Sequence, residues 1–200
     1  MLNKSDVIVC VIQSHGCNTS GKRSLDGRLK EGVYSREVCA MIIDRLHFEG
    51  FDVRSIVPEC DDVPLRDRVE RVNKIVKDNP TKTVFCIELH CDAAPGSIWT
   101  KARGFSCFVA RVASKRSKQL ATVFHKNILD MNLTGNRVYP ETGYKVAGYY
   151  TISNTACPHV LVECDFMTNR DSVDWLLSEK GKQTIVCLFC KSVREFVESL

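Results

Sequence analysis

Two hundred residues are enough for one domain with a sizeable core, and short for two. An apolar fraction of 44% and a charged fraction of 26% are ordinary for a soluble globular protein. No apolar run approaches the length that crosses a bilayer, and the net charge of +4 is scattered rather than gathered into a basic stripe. A membrane span and a nucleic-acid partner are therefore not expected.

The chain opens on "MLNKSDVIVCVIQSHG", whose apolar stretch is short for a secretory leader and is followed by no small-residue cleavage site. The expectation is a first strand at 7–13, in a protein that stays in the cytoplasm, either throughout or until lysis releases it. A helix follows over 33–49, with Val38, Met41, Ile42 and Leu46 at helical spacing and Gly50 closing it. Next come a strand at 52–57, a helix at 64–78 and strands at 83–89 and 104–110. A helix at 115–130 carries Leu120, Val123, Phe124, Ile128 and Leu129. Residues 131–150 form the longest irregular stretch, with three glycines and four tyrosines, and read as a mobile loop that shapes a binding surface. A strand at 159–164 and a helix at 182–198 finish the chain. The strands are apolar nearly throughout, the pattern of strands covered on both faces. Alternation of strand and helix predicts an α/β fold: a single three-layer domain over 1–200, with a mostly parallel twisted sheet and helices on both faces.

Eleven cysteines is a high count. An odd number without a secretion signal argues against a disulfide framework. Most sit in apolar runs, where a thiol behaves as a small hydrophobe. The one CxxC, Cys187 to Cys190, lies in a helical pattern with no second pair to complete a metal or redox site.

In an open α/β sheet, ligands bind beyond the carboxyl ends of the strands. The first strand leads into His15, the third into His90, and the fifth ends on Glu163. The loop after the first strand carries Glu31 just before the first helix. His47 and His125 sit in helical patterns and His159 follows Pro158, so these three read as structural. Glu31 alone could be a helix N-terminal acid, favoured by the macrodipole. Glu163 is harder to dismiss, because an ionised group ending an apolar strand needs a partner. Two histidines and a glutamate fit zinc, and a second carboxylate beside a catalytic zinc can take a proton from water.

These residues sit in motifs that resemble a known family. "SHGC" (14–17), "GRLKE" (27–31), "ELHCDAA" (88–94) and "PHVLVECDFMTN" (158–169) are similar to those of the zinc-dependent N-acetylmuramoyl-L-alanine amidases of type 3, from about residue 7 to 197. The turn "LHFEGFDV" (46–53), the helix "LRDRVERVN" (65–73) and the strand "RGFSCFVA" (103–110) match as well. The resemblance implies Zn2+ held by His15, Glu31 and His90, with Glu163 as the catalytic carboxylate. The substrate it implies is peptidoglycan or a muropeptide, cut between N-acetylmuramic acid and L-alanine.

Glu37 also lies on the first helix, about 1.7 turns from Glu31 and so on another side of it. Counting back from Gly50, Glu31 falls where the resembling family places its zinc glutamate, so the resemblance favours Glu31. The family's second glycine after the histidine is Cys17 here, its His-Ala-Asn is His90-Cys91-Asp92, and its Glu-Leu-Gly-Phe is Glu163-Cys164-Asp165-Phe166. A thiol in these places could close the open metal position. Glu88 stands where the family has serine and shares a strand face with His90. It either orients that imidazole or pairs with an arginine. Two other functional readings compete: a zinc amidohydrolase of soluble muropeptides, and a catalytically silent relative that binds the wall or regulates a partner.

Overall fold

In the computed structural model, which describes residues 3–200, every residue of the first strand, β1 (Val7–Gln13), is buried. It can be, because its two faces meet different helices. Val7, Val9 and Val11 belong to one apolar cluster, and Ile8, Cys10 and Ile12 to another. Alternation along a pleated strand assigns them to opposite faces. The remaining strands are β2 (Asp52–Ser55), β3 (Thr83–Asp92), β4 (Ser106–Ala110), β5 (Lys145–Ala147) and β6 (His159–Phe166). They form one six-stranded sheet in the order β2-β1-β3-β6-β4-β5. The first four pair in parallel, and β4 pairs antiparallel to β6 and parallel to β5.

The helices divide between the faces. On one side α1 (Glu31–Phe48), α3 (Lys115–Asp130), α5 (Arg170–Leu177) and α6 (Glu179–Glu198) share the larger cluster with Phe85, Ile87, Val160 and Val162. On the other side α2 (Leu65–Asp78) sets Val72 against Ile8, Cys10 and Cys86, and the short α4 (Tyr150–Asn154) sets Ile152 against Ala110 and Leu161. This is the three-layer α/β domain expected from the alternation of elements, with a mostly parallel sheet. No helix among the described residues is long and apolar enough to cross a membrane.

The same alternation sorts the functional strands. In β3, Phe85, Ile87, Leu89 and Cys91 join the larger cluster, so Glu88 and His90 point to the α2/α4 side. In β6, Val160, Val162 and Cys164 join it, and His159, Leu161 and Glu163 point the other way. Register completes the placement, since Glu88 neighbours Leu161 and His90 neighbours Glu163.

Several expectations are corrected. The third strand does not stop at Leu89, where its pairing with β1 ends; it runs to Asp92 along β6 alone, with a register shift between His90 and Asp92. His90 is therefore inside a strand. The short elements β5, α4 and α5 were not foreseen. The disulfide expectation also fails. Cys17, after β1, is bonded to Cys60, after β2, with a Cα–Cα distance of 5.1 Å and a sequence separation of 43. Counting cysteines missed this bridge because β2 lies beside β1 in the sheet, which brings the two loops that follow them together. The other nine cysteines are free.

A bridge across such a loop limits the unfolded chain and is worth about 2–4 kcal/mol. Cys17→Ser with Cys60→Ser should lower the urea-unfolding free energy by about that amount, and a thiol reductant should bring the wild type to the same value. Unchanged unfolding curves in both experiments would show that the bridge carries no stability.

Candidate metal centre and its cleft

Two glycines bring the first two candidate residues together. A Cβ on Gly32, in the first turn of α1, would stand 2.2 Å from the Gly16 carbonyl oxygen, and one on Gly16 would stand 2.7 Å from the Asp62 nitrogen. Only bare backbone allows the loop after β1 to pack this closely on the helix start. His15 lies next to that contact, with φ +22, a backbone region few side chains adopt. Arg36 donates to the carbonyls of Ser14, His15 and Gly32, and the buried Arg68 donates to Gln13 O and Asp62 Oδ1. The Asp62 carboxylate in turn accepts from the Gly16 N–H at 3.1 Å and the Thr19 hydroxyl at 3.0 Å. His15 thus sits on a loop held from several sides.

Glu31, the first residue of α1, is 1% exposed. Its Oε1 accepts from the Cys91 N–H at 3.1 Å and lies 3.1 Å from His90 Nδ1. Its Oε2 is sealed from solvent, has no hydrogen-bond partner, and stands 3.5 Å from His15 Nε2. The ligand atoms of His15, Glu31 and His90 all lie within 4.8 Å of one another. Burial would raise the Glu31 carboxyl, but the hydrogen bond and charge of His90, with His15 and Cys91, hold it below its usual range. Burial pushes the His15 imidazole down to about 4 against the pull of Glu31.

The far side of His90 is occupied as well. Its Nε2 is 3.0 Å from Glu88 Oε1. Glu88 Oε2 accepts from the Thr151 hydroxyl at 2.7 Å and stands 3.2 Å from His159 Nε2, and His159 Nδ1 meets the Thr155 hydroxyl at 3.0 Å. Burial would raise the Glu88 carboxyl, but the two imidazoles keep it ionised and well below the usual carboxylate range. Burial would also lower His90, yet the hydrogen bonds to Glu31 and Glu88 win and raise it to about 10. Of the two roles open to Glu88, the geometry is that of an orienting partner, and no arginine is involved.

Glu163 lies across the strand pair from His90. Its Oε2 is buried without a partner. Burial pushes its carboxyl up to about 8; His90 pulls it back, while Asp92 and Glu31 push it further. All four residues line one cleft of about 350 Å³, together with Lys22, Leu65, Tyr149 and Tyr150. The tyrosines end the irregular stretch singled out in the sequence. Elsewhere in that stretch, Arg137 pairs with Asp92 and the Tyr139 hydroxyl donates to Phe105 O.

The other candidates lie apart. Glu37 is exposed and pairs with Lys182. His47 Nε2 is 3.1 Å from Val53 O, and the His125 ring packs on Tyr139 with ring centroids 4.6 Å apart. Cys91 and Cys164 belong to the cluster on the opposite sheet face, and Cys17 is tied up with Cys60, so none of these thiols turns toward the three donors. Cys187 is exposed and Cys190 buried.

A divalent cation suits this donor set. Ligands about 2.0–2.1 Å from a tetrahedral ion stand roughly 3.3 Å from each other, and the His–Glu separations here are 3.1 and 3.5 Å. The orphaned Glu31 Oε2 is a buried negative atom that such an ion would satisfy. A carboxylate on the remote nitrogen of a metal-binding imidazole is a common support for the ligand.

Fold and site together define an α/β protein with a candidate metal centre at the carboxyl ends of its parallel strands. A family model described as N-acetylmuramoyl-L-alanine amidase (Amidase_3) matches residues 9–195. The chain belongs to that family. No curated protein sequence matches it. Among solved structures, the amidase Ami1 from Mycobacterium smegmatis aligns with a TM-score of 0.85 at 17% identity, covering 100% of both chains. An N-acetylmuramoyl-L-alanine amidase from Clostridium difficile 630 aligns at 0.80 and 17%, covering 98% of this chain and 99% of that one. The catalytic domain of CD27L, an endolysin targeting Clostridia difficile, aligns at 0.72 and 20%, covering 94% and 97%. At these identities the likeness is one of fold.

If Glu88 acts by orienting His90, Glu88→Gln should keep the fold and weaken zinc affinity by about 10- to 100-fold, read by competition with a chromophoric chelator. Wild-type affinity in a folded Glu88→Gln protein would remove Glu88 from this role.

Proposed function

We propose that this protein is a zinc-dependent N-acetylmuramoyl-L-alanine amidase, that residues 1–200 act as one catalytic domain, and that peptidoglycan is its substrate. The observation that carries this reading is a juxtaposition. Glu163, buried with an unpartnered oxygen, stands in register with His90 beside the His15–Glu31–His90 cluster, in a chain of the amidase family.

In this reading His15, Glu31 and His90 hold the ion. The chemistry that a bound zinc supplies at such a site is Lewis acidity toward water and toward the scissile carbonyl. The chain's own groups do the rest. Glu88 keeps the Nδ1 of His90 turned to the site by holding its Nε2. Glu163 takes the proton of the attacking water as its oxygen bonds to the lactyl carbonyl carbon. The same carboxyl then gives that proton to the amine nitrogen of L-alanine as the carbon–nitrogen bond breaks. Burial raises this carboxyl above its usual range, against which the charge of a bound cation would pull, and the balance of the two suits a group that takes up a proton and hands it on. Leu65, Tyr149 and Tyr150 give the cleft an apolar wall for the substrate.

The protein loaded with zinc should release L-alanine amino ends from purified cell wall, and a chelator should abolish release until zinc is restored. Glu163→Gln should keep metal and fold yet lose at least about 100-fold in kcat, the usual weight of a general acid–base. Full activity in metal-free protein would exclude the zinc mechanism, and wild-type kcat in Glu163→Gln would exclude the role of that carboxyl. Turnover of soluble muropeptides alone would narrow the substrate.

A further inference from the structure

We propose that Lys22 is the specificity residue of the cleft and receives a free carboxylate on the second residue of the stem peptide; this rests on the amidase reading above. Lys22 is the single lysine or arginine among the residues lining the cleft. Among the described residues its ammonium makes no ion pair or hydrogen bond, although Glu31, Glu88, Asp92 and Glu163 line the same space. Three of those carboxylates are engaged elsewhere: Glu31 with His90 and the Cys91 N–H, Glu88 with His90 and Thr151, and Asp92 with Arg137. The remaining one, Glu163, is not within ion-pair distance of Lys22. The ammonium is thus left for something that enters the cleft.

Its position is fixed by the backbone. Lys22 O accepts from the Glu31 N–H at 2.9 Å, and Lys22 N–H donates to Thr19 O at 3.2 Å. An antiparallel bridge between Arg23 and Lys30 braces the segment that joins it to α1. Lys22 is therefore anchored at the entrance to the helix that supplies Glu31, half-buried rather than waving in solvent.

Substrate chemistry names what this cation meets. Around the scissile amide the sugar is neutral and the first stem residue, alanine, is apolar. The nearest anion is the α-carboxylate of the second residue where that residue is a glutamate linked through its side chain. At about 3.3–3.6 Å per extended residue it lies roughly 7 Å from the scissile bond, within reach of a lysine beside the centre. When that carboxylate is amidated, shape is conserved and charge is lost. A buried or half-buried ammonium separates two such ligands by charge alone.

The test uses N-acetylmuramoyl-L-alanyl-D-glutamic acid and its α-amide, the isoglutamine form, as paired substrates for the zinc-loaded protein. The wild type should favour the acid by about tenfold or more in kcat/KM, the effect of one charge pair of about 1.4 kcal/mol, with most of it in KM. Lys22→Met should erase the preference at unchanged metal content and Tm, and Lys22→Arg should restore it. If the Met variant does not fold, Lys22→Gln makes the same comparison. Equal wild-type rates on acid and amide, or a preference that survives in Lys22→Met, would overturn the proposal. If neither compound is cleaved, the amidase reading is decided on purified cell wall, and Lys22 is still tested by calorimetry with L-alanyl-D-glutamate and L-alanyl-D-isoglutamine. Acid-selective binding lost in Lys22→Met supports the role; binding without selectivity overturns it.

Discussion

A carboxylate sealed in the protein with one oxygen satisfied and the other bare is the constraint around which this molecule is organised. Glu31 opens α1, where the partial positive charge of the helix start favours an anion, but burial at 1% exposure demands more than that. Oε1 is answered by Cys91 N–H and His90; Oε2 has only His15 at 3.5 Å. The chain reaches this arrangement through three distant pieces: a loop end, a helix start and a central strand. The Gly16–Gly32 approach joins the first two, and pairing of β1 with β3 fixes the third. A cation between the two histidines and Glu31 would relieve the bare oxygen, so the stability of this corner and the affinity of the centre are linked.

The second tier extends the same logic across the sheet. Glu88 is fully buried, and its charge is shared by His90 and His159, with Thr151 completing its hydrogen bonds. His159 was expected to be structural and is, but its structural task is to support the carboxylate that holds His90. Thr151 comes from α4, a helix of five residues that exists on the α2/α4 face of the sheet and closes over this chain of groups. A disturbance in α4 therefore reaches His90 through Glu88 without touching it.

Much of this was legible in the sequence, for physical reasons. Both-face burial made β1, β3 and β6 nearly continuous apolar runs, and helical spacing of Val38, Ile42 and Leu46 marked α1. Period-two alternation put Glu88 on the face of His90, and the turn count separated Glu31 from Glu37. What escaped were features set by tertiary contact. The Cys17–Cys60 bridge depends on strand order, which a count of thiols does not contain. The elements α4 and β5 are too short for periodicity to register, although α5 carried a local sign in Asn169, whose side chain accepts from the Ser172 N–H as a helix cap. Lys22 was invisible as a cleft residue because a lone lysine in a loop reads as solvated surface until the fold turns it inward.

Two glutamates in one cleft are driven to opposite proton states, and the difference lies in what surrounds them. Both suffer burial, which favours the neutral acid. Glu31 has a hydrogen-bonded imidazole, a backbone N–H and a second histidine within reach, so its charge is stabilised more than burial penalises it. Glu163 has no hydrogen-bond donor on its buried oxygen, feels His90 only through space, and lies near the negative charges of Asp92 and Glu31. One carboxylate is thereby fixed as an anion fit to bind a cation, and the other is left able to gain and lose a proton near neutrality. That separation of roles is how paired acids are assigned in hydrolytic sites, and here it follows from position. Glu31 lies where a helix begins beneath a strand end, and Glu163 lies mid-face on a strand with nothing but its neighbours' charges for company.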